Sequence, residues 1–427
     1  MLRSLYSGIS GLHAHQQMMD VTGNNIANVN TAGYKASSVQ FNDTLSQMIG
    51  AAGSPQDGQA GTNPAQVGLG VRVAGITQNF SQGSAQTTGK SGDMMIQGDG
   101  FFITRSGGED LYTRAGSFFF DANGLLTNAT GEPVQGWTAD TDGNVNSAAK
   151  PGDITMPLGS TIPPQETSTI TLKGNLTSDP IDMTDATKVN YTIPVKVYDE
   201  LGAPSTQIVN FQRQSGGGYK VYMPWDSTTN TGTEVTGTPV TLDGTTYNNT
   251  DPFDFTSGKP NETKIGIPAY TDAAGVEHHG FVIDATDITH YSGNSDGRVF
   301  DTNGYSAGAL TSLSYTVSDT GEIIGVYSNG LKKTLGQVAM ATFKNVNGLE
   351  KVGNSMYRST NNSGYAQVGE PGSAGMGQVI SGALEMSNVD LAQEFTNLVV
   401  AQRGFQANSR VITTSDELLQ ELVSMKR

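Results

Sequence analysis

The sequence predicts a multidomain, mainly β protein whose paired N- and C-terminal helices form a terminal α coiled coil beside two β domains, an inner discontinuous one and an outer inserted one. Three observations predict it. Both ends carry apolar residues at alternating three- and four-residue spacing, the mark of a helical seam. The chain between them runs in short alternating stretches broken by Gly, Asn and Asp turns. Its 54 glycines and 15% charged residues describe a turn-rich body. At 427 residues the chain exceeds one ordinary core, so two or three domains are expected.

The N-terminal stripe is Leu2, Leu5, Ile9, Leu12, Met19 and Ile26, with lapses at Gln16 and Gly23. "GNNIANVNTAGYK", residues 23 to 35, then closes the helix. The seam persists through Ile26, which places the stop near Asn28 or Asn30. Asn24, Asn25, Asn28 and Asn30 can bond their own main chain and accept left-handed backbone, and Gly33 and Tyr34 turn the chain away.

The C-terminal stripe is Leu391, Phe395, Leu398, Phe405, Ile412, Leu419 and Val423, with polar lapses one heptad apart at Gln402, Ser409 and Asp416. "SNVD" at 387 to 390 offers a serine or asparagine cap with an acidic first turn, and Lys426 and Arg427 suit the C-terminal dipole. About 40 residues would make a helix of about 60 Å. Seams interrupted by polar residues adhere moderately, so neither helix is expected to stand alone. The joining segments are β-like and glycine-rich and offer no helical groove. The helices should therefore pair with each other and with copies of the chain.

The domain reading follows. Residues 1–35 and 386–427 form a terminal helical assembly domain. Residues 36–76, containing "AAGSPQDGQAGTNPAQVGLG", read as a connector of linker composition. Residues 77–157 and 288–385, with turns such as "DANG" and "YSNG", complete one inner β domain. Residues 158–287 hold "STITLKGNL", "NYTIPVKVYDE", "QIVNFQRQ" and "YKVYMPW", strands at sandwich or barrel spacing, and form the inserted outer domain. Glycine-rich joints near 36–76 and 369–377 are expected to let these domains shift.

The formal charge of -16 opposes nucleic-acid binding, which needs a basic face. The ends nearly cancel, with Arg3 and Lys35 against Asp20 at one and four bases against five acids at the other, so the excess lies in the middle. Without cysteine the chain has no disulfide, thiolate metal site or thiol nucleophile. It has no apolar run of bilayer length and no apolar core of a secretory signal near the start, so any export is expected to use a route that reads no cleavable signal.

Catalytic and metal patterns are weak. His13 and His15 point to different faces of a helix, and His278 and His279, beside Glu277, to opposite sides of a strand. "DTDGNVN" at 140 to 146 starts like a calcium loop, but its glycine is misplaced and Pro151 stands where the closing glutamate belongs. "GDG" and "GLG" lack the rest of a dinucleotide fingerprint. The expectation is no enzyme, no cofactor, no metal and no small-molecule substrate.

"NNIANVNTAGYK", "GDGFFI" at 98 to 103, "YTRAGSFFFDANGLL" at 112 to 126 and "SGALEMSNVDLAQEFTNLVVAQRGFQANSRVITTSDELLQELV" at the end resemble the bacterial flagellar axial proteins. Within that group, "YSNGLKKTLGQVAMATFKNVNGLEKVGNSMY" at 327 to 357 and the long middle resemble the hook members more than the shorter distal rod members. The resemblance implies a homopolymer: a hollow curved tube that transmits torque from rod to filament as a universal joint, with the helices lining its channel. It also implies an extracellular location, export by the flagellar type III apparatus, and contacts with rod proteins, hook–filament junction proteins and a hook cap. A secreted β-rich adhesin or glycan-binding protein is the competing class, supported by the acidic, threonine-rich middle.

Overall fold

Strand Phe101–Ser106 sets the pattern of the β body in a computed structural model that describes residues 2–54, 60–157, 159–180, 189–226, 229, 231–235, 239–242, 244–247, 249, 253–271, 277–373 and 375–425. Successive strand residues face opposite sides, and here both sides are covered. Phe102 enters a core with Met94, Ile96, Phe118, Leu126, Val134 and Val338, while Phe101 and Ile103 enter another with Tyr112, Trp137, Phe343 and Tyr357. The consecutive apolar residues of "FFI" follow from that. Edge-to-face ring pairs, Phe102 to Phe118 at 5.1 Å and Phe101 to Phe343 at 6.0 Å, fix the packing.

The strand belongs to a six-stranded sheet in the order Glu350–Gly353, Met356–Arg358, Glu109–Thr113, Phe101–Ser106, Met340–Thr342 and Gln367–Gly369. In a second sheet, Gln135–Thr138 lies between Gly152–Asp153 and Lys332–Val338. Outgoing and returning chain run side by side: Met94–Gln97 pairs antiparallel with Gln378–Ser381, and Ala85–Thr87 with Ala383–Glu385.

The chain divides into two compact units, residues 1–158, 312–325 and 332–427 in one and 159–311 with 326–331 in the other. In the second, Lys264–Ile267, Phe281–Thr289, Thr169–Asn175 and Arg298–Thr302 form one sheet, and Asn190–Tyr198, Pro204–Arg213, Tyr219–Asp226 and Thr231–Glu234 a meander. The alternating residues Ile193, Val195 and Val197 of the meander and Ile170 and Leu172 of the other sheet share one core, so the four outer strands expected from the sequence are strands here. Residues 288–311, assigned to the inner domain from sequence, cluster with this second unit. Arg298–Thr302 pairs with Thr169–Asn175, and a strand follows its hydrogen bonds whatever its place in the chain.

In both segments expected to act as joints the backbone is hydrogen-bonded. The 36–76 segment forms antiparallel ribbons, β1 (Ser37–Asp43) with β4 (Val71–Gln78) and β2 (Ser46–Gly50) with β3 (Ala65–Gly68), because "SSVQF" and "VRVAGI" carry enough β-branched residues to pair. Near 369–377, Gly372 N–H donates to Gly377 O, Gly377 N–H donates to Asp99 O, and Met376 is buried. That turn is anchored to the body.

Candidate functional site

Helix α1 (Leu2–Ala27) and helix α2 (Leu391–Met425) pack against each other, and small residues let them approach. Gly8, Gly11 and Ala14 are buried on α1, and Ala401 and Ser415 on α2. A methyl group at Gly11 would lie 2.6 Å from Asn408 Nδ2, and one at Gly404 would lie 2.5 Å from His15 Nε2. Numbers rise along one helix as they fall along the other, so the pair is antiparallel. At 35 residues α2 is about 52 Å long.

The stripe residues divide. Leu5, Leu12, Met19, Ile26, Leu398, Phe405, Ile412 and Leu419 are half-buried, while Ile9, Leu391, Phe395 and Val423 are exposed, Phe395 by 53% and Val423 by 69%. The Leu2 side chain lies outside the described residues, as do Lys426 and Arg427. Val399, Leu418 and Met425 add to the outward apolar surface of α2. The strands of the connector touch α1: Val71 N–H donates to Ser10 Oγ at 3.3 Å, and the Phe41 ring lies 6.0 Å from His15.

Below the helices the two ends meet. Asn25, 1% exposed, binds the exit of α1: its Oδ1 accepts from Ser37 N–H at 3.0 Å and Tyr34 O–H at 3.1 Å, and its Nδ2 donates to Ser37 O at 2.7 Å. Asn28 Nδ2 donates to Asn24 O at 2.9 Å, and Asn30 is exposed. The left-handed residue is Gly33, at φ 69°, so the asparagines act through side-chain bonds instead of through left-handed backbone. Gly33 N–H donates to Glu385 O at 2.7 Å.

Glu385 is the centre of a buried charge cluster. Its Oε1 lies 2.6 Å from Lys35 Nζ with neither side chain exposed, and its Oε2 accepts from Arg114 Nη1 at 3.4 Å. Gly83 N–H donates to Oε1 at 2.9 Å, Lys35 Nζ also donates to Ser81 O at 2.8 Å, and Arg114 stacks 5.2 Å over Phe101. Burial pushes the Lys35 ammonium below its usual range, opposed by its bond to Glu385, and pushes the Arg114 guanidinium down as well. The Tyr357 hydroxyl is pushed up, chiefly by burial.

The α2 cap differs from expectation. Asp390 Oδ1 accepts from Ala392 N–H at 2.9 Å and Gln393 N–H at 3.3 Å, so the acidic residue is the cap. Asn388 ties the ends together instead: Oδ1 accepts from Ala36 N–H at 2.8 Å, and Nδ2 donates to Asn79 O at 2.8 Å and Ser81 O at 3.1 Å. The roles of Lys35, Arg114 and Glu385 escaped the sequence reading, and Asn388 was read only as a helix cap. Their signal was a lone charge or amide inside each of three motif strings, "AGYK", "YTRAG" and "ALEMSN".

The weaker patterns resolve as local bonding. Asp140 Oδ1 accepts from its own turn, Asp142 N–H at 3.0 Å and Asn144 N–H at 2.8 Å, which lowers its pKa. His278 is buried, stacked 5.0 Å from Tyr270, while the exposed His279 pairs with Glu166 at 2.9 Å, with Glu200 at 3.8 Å. His279 and Glu200 are 67% and 70% exposed, so their contact lies in water.

Family models match the chain in order: "Flagella basal body rod protein" at residues 5–35, "Flagellar hook protein FlgE/F/G D1 domain" at 95–178, "Flagellar basal body protein FlaE D2 domain" at 171–305 and "Flagellar basal body rod FlgEFG protein C-terminal" at 380–425. The flagellar hook protein FlgE of Treponema pallidum is 39% identical over 469 residues, covering 100% of both chains, and that of Salmonella typhimurium 33% over 433 residues, covering 99% and 100%. The basal-body rod protein FlgG of Bacillus subtilis is 32% identical over 428 residues, covering 100% of both. The crystal structure of Helicobacter pylori FlgE2 aligns with a TM-score of 0.46 at 14% identity, over 70% of this chain and 100% of that one. With full-length identity of this order to hook proteins and matching models from end to end, the chain belongs to the flagellar hook protein family.

Proposed function

We propose that the chain is a structural subunit that polymerises into the flagellar hook, the curved joint between rod and filament, through the outward faces of α1 and α2. The observation that carries this is the apolar surface that α2 leaves open to solvent, at Leu391, Phe395, Val399, Leu418 and Val423, although the helix already packs against α1. An exposed apolar surface of this extent favours being covered, and what covers it in this reading is a different patch on the terminal helices of the next copy. A head-to-tail contact of that kind generates an open helical filament.

Residues 1–35 with 386–427 are the assembly domain in this reading, the 36–76 ribbons contact neighbouring copies, and the β domains form the outer wall. Torque passes through packed surfaces, and no reaction is required. The finished hook lies outside the cell. Subunits reach it through the flagellar export route without a cleavable signal, and rod proteins, junction proteins and a hook cap meet the ends of the polymer.

Electron microscopy of the concentrated full chain tests the reading. Tubes are expected, with dispersed particles after removal of residues 1–30 and 391–427. A truncated chain that still forms tubes overturns the assignment of the helices.

A further inference from the structure

The buried cluster holds two cations and one carboxylate, and the three come from different places. Arg114 follows the body strand Glu109–Thr113 and is held there over Phe101, its Nε without a partner. Glu385 arrives on the returning strand Ala383–Glu385, which pairs with Ala85–Thr87. Lys35 arrives with the exit of α1.

We propose that this imbalance makes the seating of the chain ends one-way: the C-terminal end can dock on the body with Lys35 absent, and the N-terminal end can be seated only afterwards. Consider each half-assembled state. With Lys35 away, Glu385 still faces Arg114, and one charge answers one charge. With Glu385 away, Lys35 would be buried near Arg114 with only the Ser81 carbonyl to bond, two like charges with no carboxylate bonded to either, the exposed Asp99 offsetting Arg114 alone. The first state is permitted and the second is forbidden.

The neutral bonds point the same way. Gly33 N–H needs Glu385 O, and Ala36 N–H needs Asn388 Oδ1, so the C-terminal end supplies what the N-terminal end requires. In a chain synthesised from its N-terminus, the first helix cannot be fixed to the body until the last strand exists. The inference concerns one chain and is independent of how copies assemble.

Amide hydrogen exchange on the full chain tests it. Ser37 N–H, bonded to Asn25, and Asn79 N–H, bonded to Ala36, report the N-terminal seat. Met386 N–H, bonded to Ser84, and Gly382 N–H, bonded to Asp93, report the C-terminal one. Met94 and Leu126 N–H report the body. Glu385→Gln, on the far end of the chain, should speed exchange at the N-terminal reporters by about a hundred-fold or more. Lys35→Met should leave the C-terminal reporters within about three-fold. The proposal is overturned if Lys35→Met opens both sets equally or Glu385→Gln leaves Ser37 and Asn79 protected. Should Glu385→Gln also open the body reporters, a denaturant series on the unsubstituted chain decides. The N-terminal set must then open at or below the denaturant that opens the C-terminal set, and C-terminal opening while Ser37 stays protected overturns the proposal.

Discussion

Lys35 and Glu385, 350 residues apart in sequence, form a 2.6 Å ion pair with neither side chain exposed to solvent. A buried charge without its partner is costly, whereas a group of buried charges replaced together by apolar side chains often costs nothing. Glu385→Leu should therefore destabilise the chain by about 3–5 kcal/mol in chemical denaturation. Lys35→Met, Arg114→Leu and Glu385→Leu combined should recover most of that loss. A triple variant no more stable than the single one would show that bond geometry, and not charge balance, holds the joint.

Gly404 admits His15 between the helices. Gly404→Leu should force them apart at a cost of about 1–3 kcal/mol. Circular dichroism would show the loss as helix signal melting at lower temperature while the β signal holds. An unchanged helix melt would mean that the contact adapts.

Phe395 is half in water on the outer face of α2. Phe395→Asp should abolish tube formation under electron microscopy and leave the β circular dichroism of the monomer intact. Tubes at normal length, or a collapsed β signal, would each contradict its place on the assembly face.

In the second unit, Arg213 Nη1 donates to His290 Nε2 at 3.2 Å, His290 Nδ1–H donates to Leu176 O at 2.9 Å, and the ring stacks 4.7 Å from Phe255. Burial pushes the imidazole below its ordinary value of 6.5, against the bond to Leu176 and with a smaller push from the Arg213 charge. Below that value the unfolded chain takes up a proton that the folded chain refuses, so stability present near neutrality is lost as pH falls. His290→Gln should be less stable than the unsubstituted chain at pH 7.5, with the gap in urea midpoint narrowing toward pH 5. A gap independent of pH would refute the assignment.

Periodicity carried the elements with one dominant burial direction. The seams located α1 and α2, and alternation located the strands Thr169–Asn175 to Tyr219–Asp226 of the second unit. It failed where a segment has few buried side chains. The ribbons β1 to β4 are largely exposed, and their pairing rests on backbone bonds that leave little hydropathy trace. It also failed to rank the seam, because the buried line between the helices is written in Gly and Ala, which carry almost no apolar signal, while larger residues such as Phe395 face outward. The cluster at Glu385 could not be read at all from spacing. Its members are far apart in the chain, and only the pairing of outgoing and returning strands brings them together.

Asn388 touches the chain at Ala36, Asn79 and Ser81, and Asn79 N–H also bonds Ala36 O, so both feet of the excursion from 37 to 78 are pinned at one spot. A pull on the terminal helices then reaches the β body across that rivet as well as through the base of the ribbon, which lies against α1 at Ser10 and His15. With both feet fixed, a change in the length of the outer pair β2 and β3 leaves the Asn388 joint where it is, and the far end of the ribbon can vary while its base stays part of the strut.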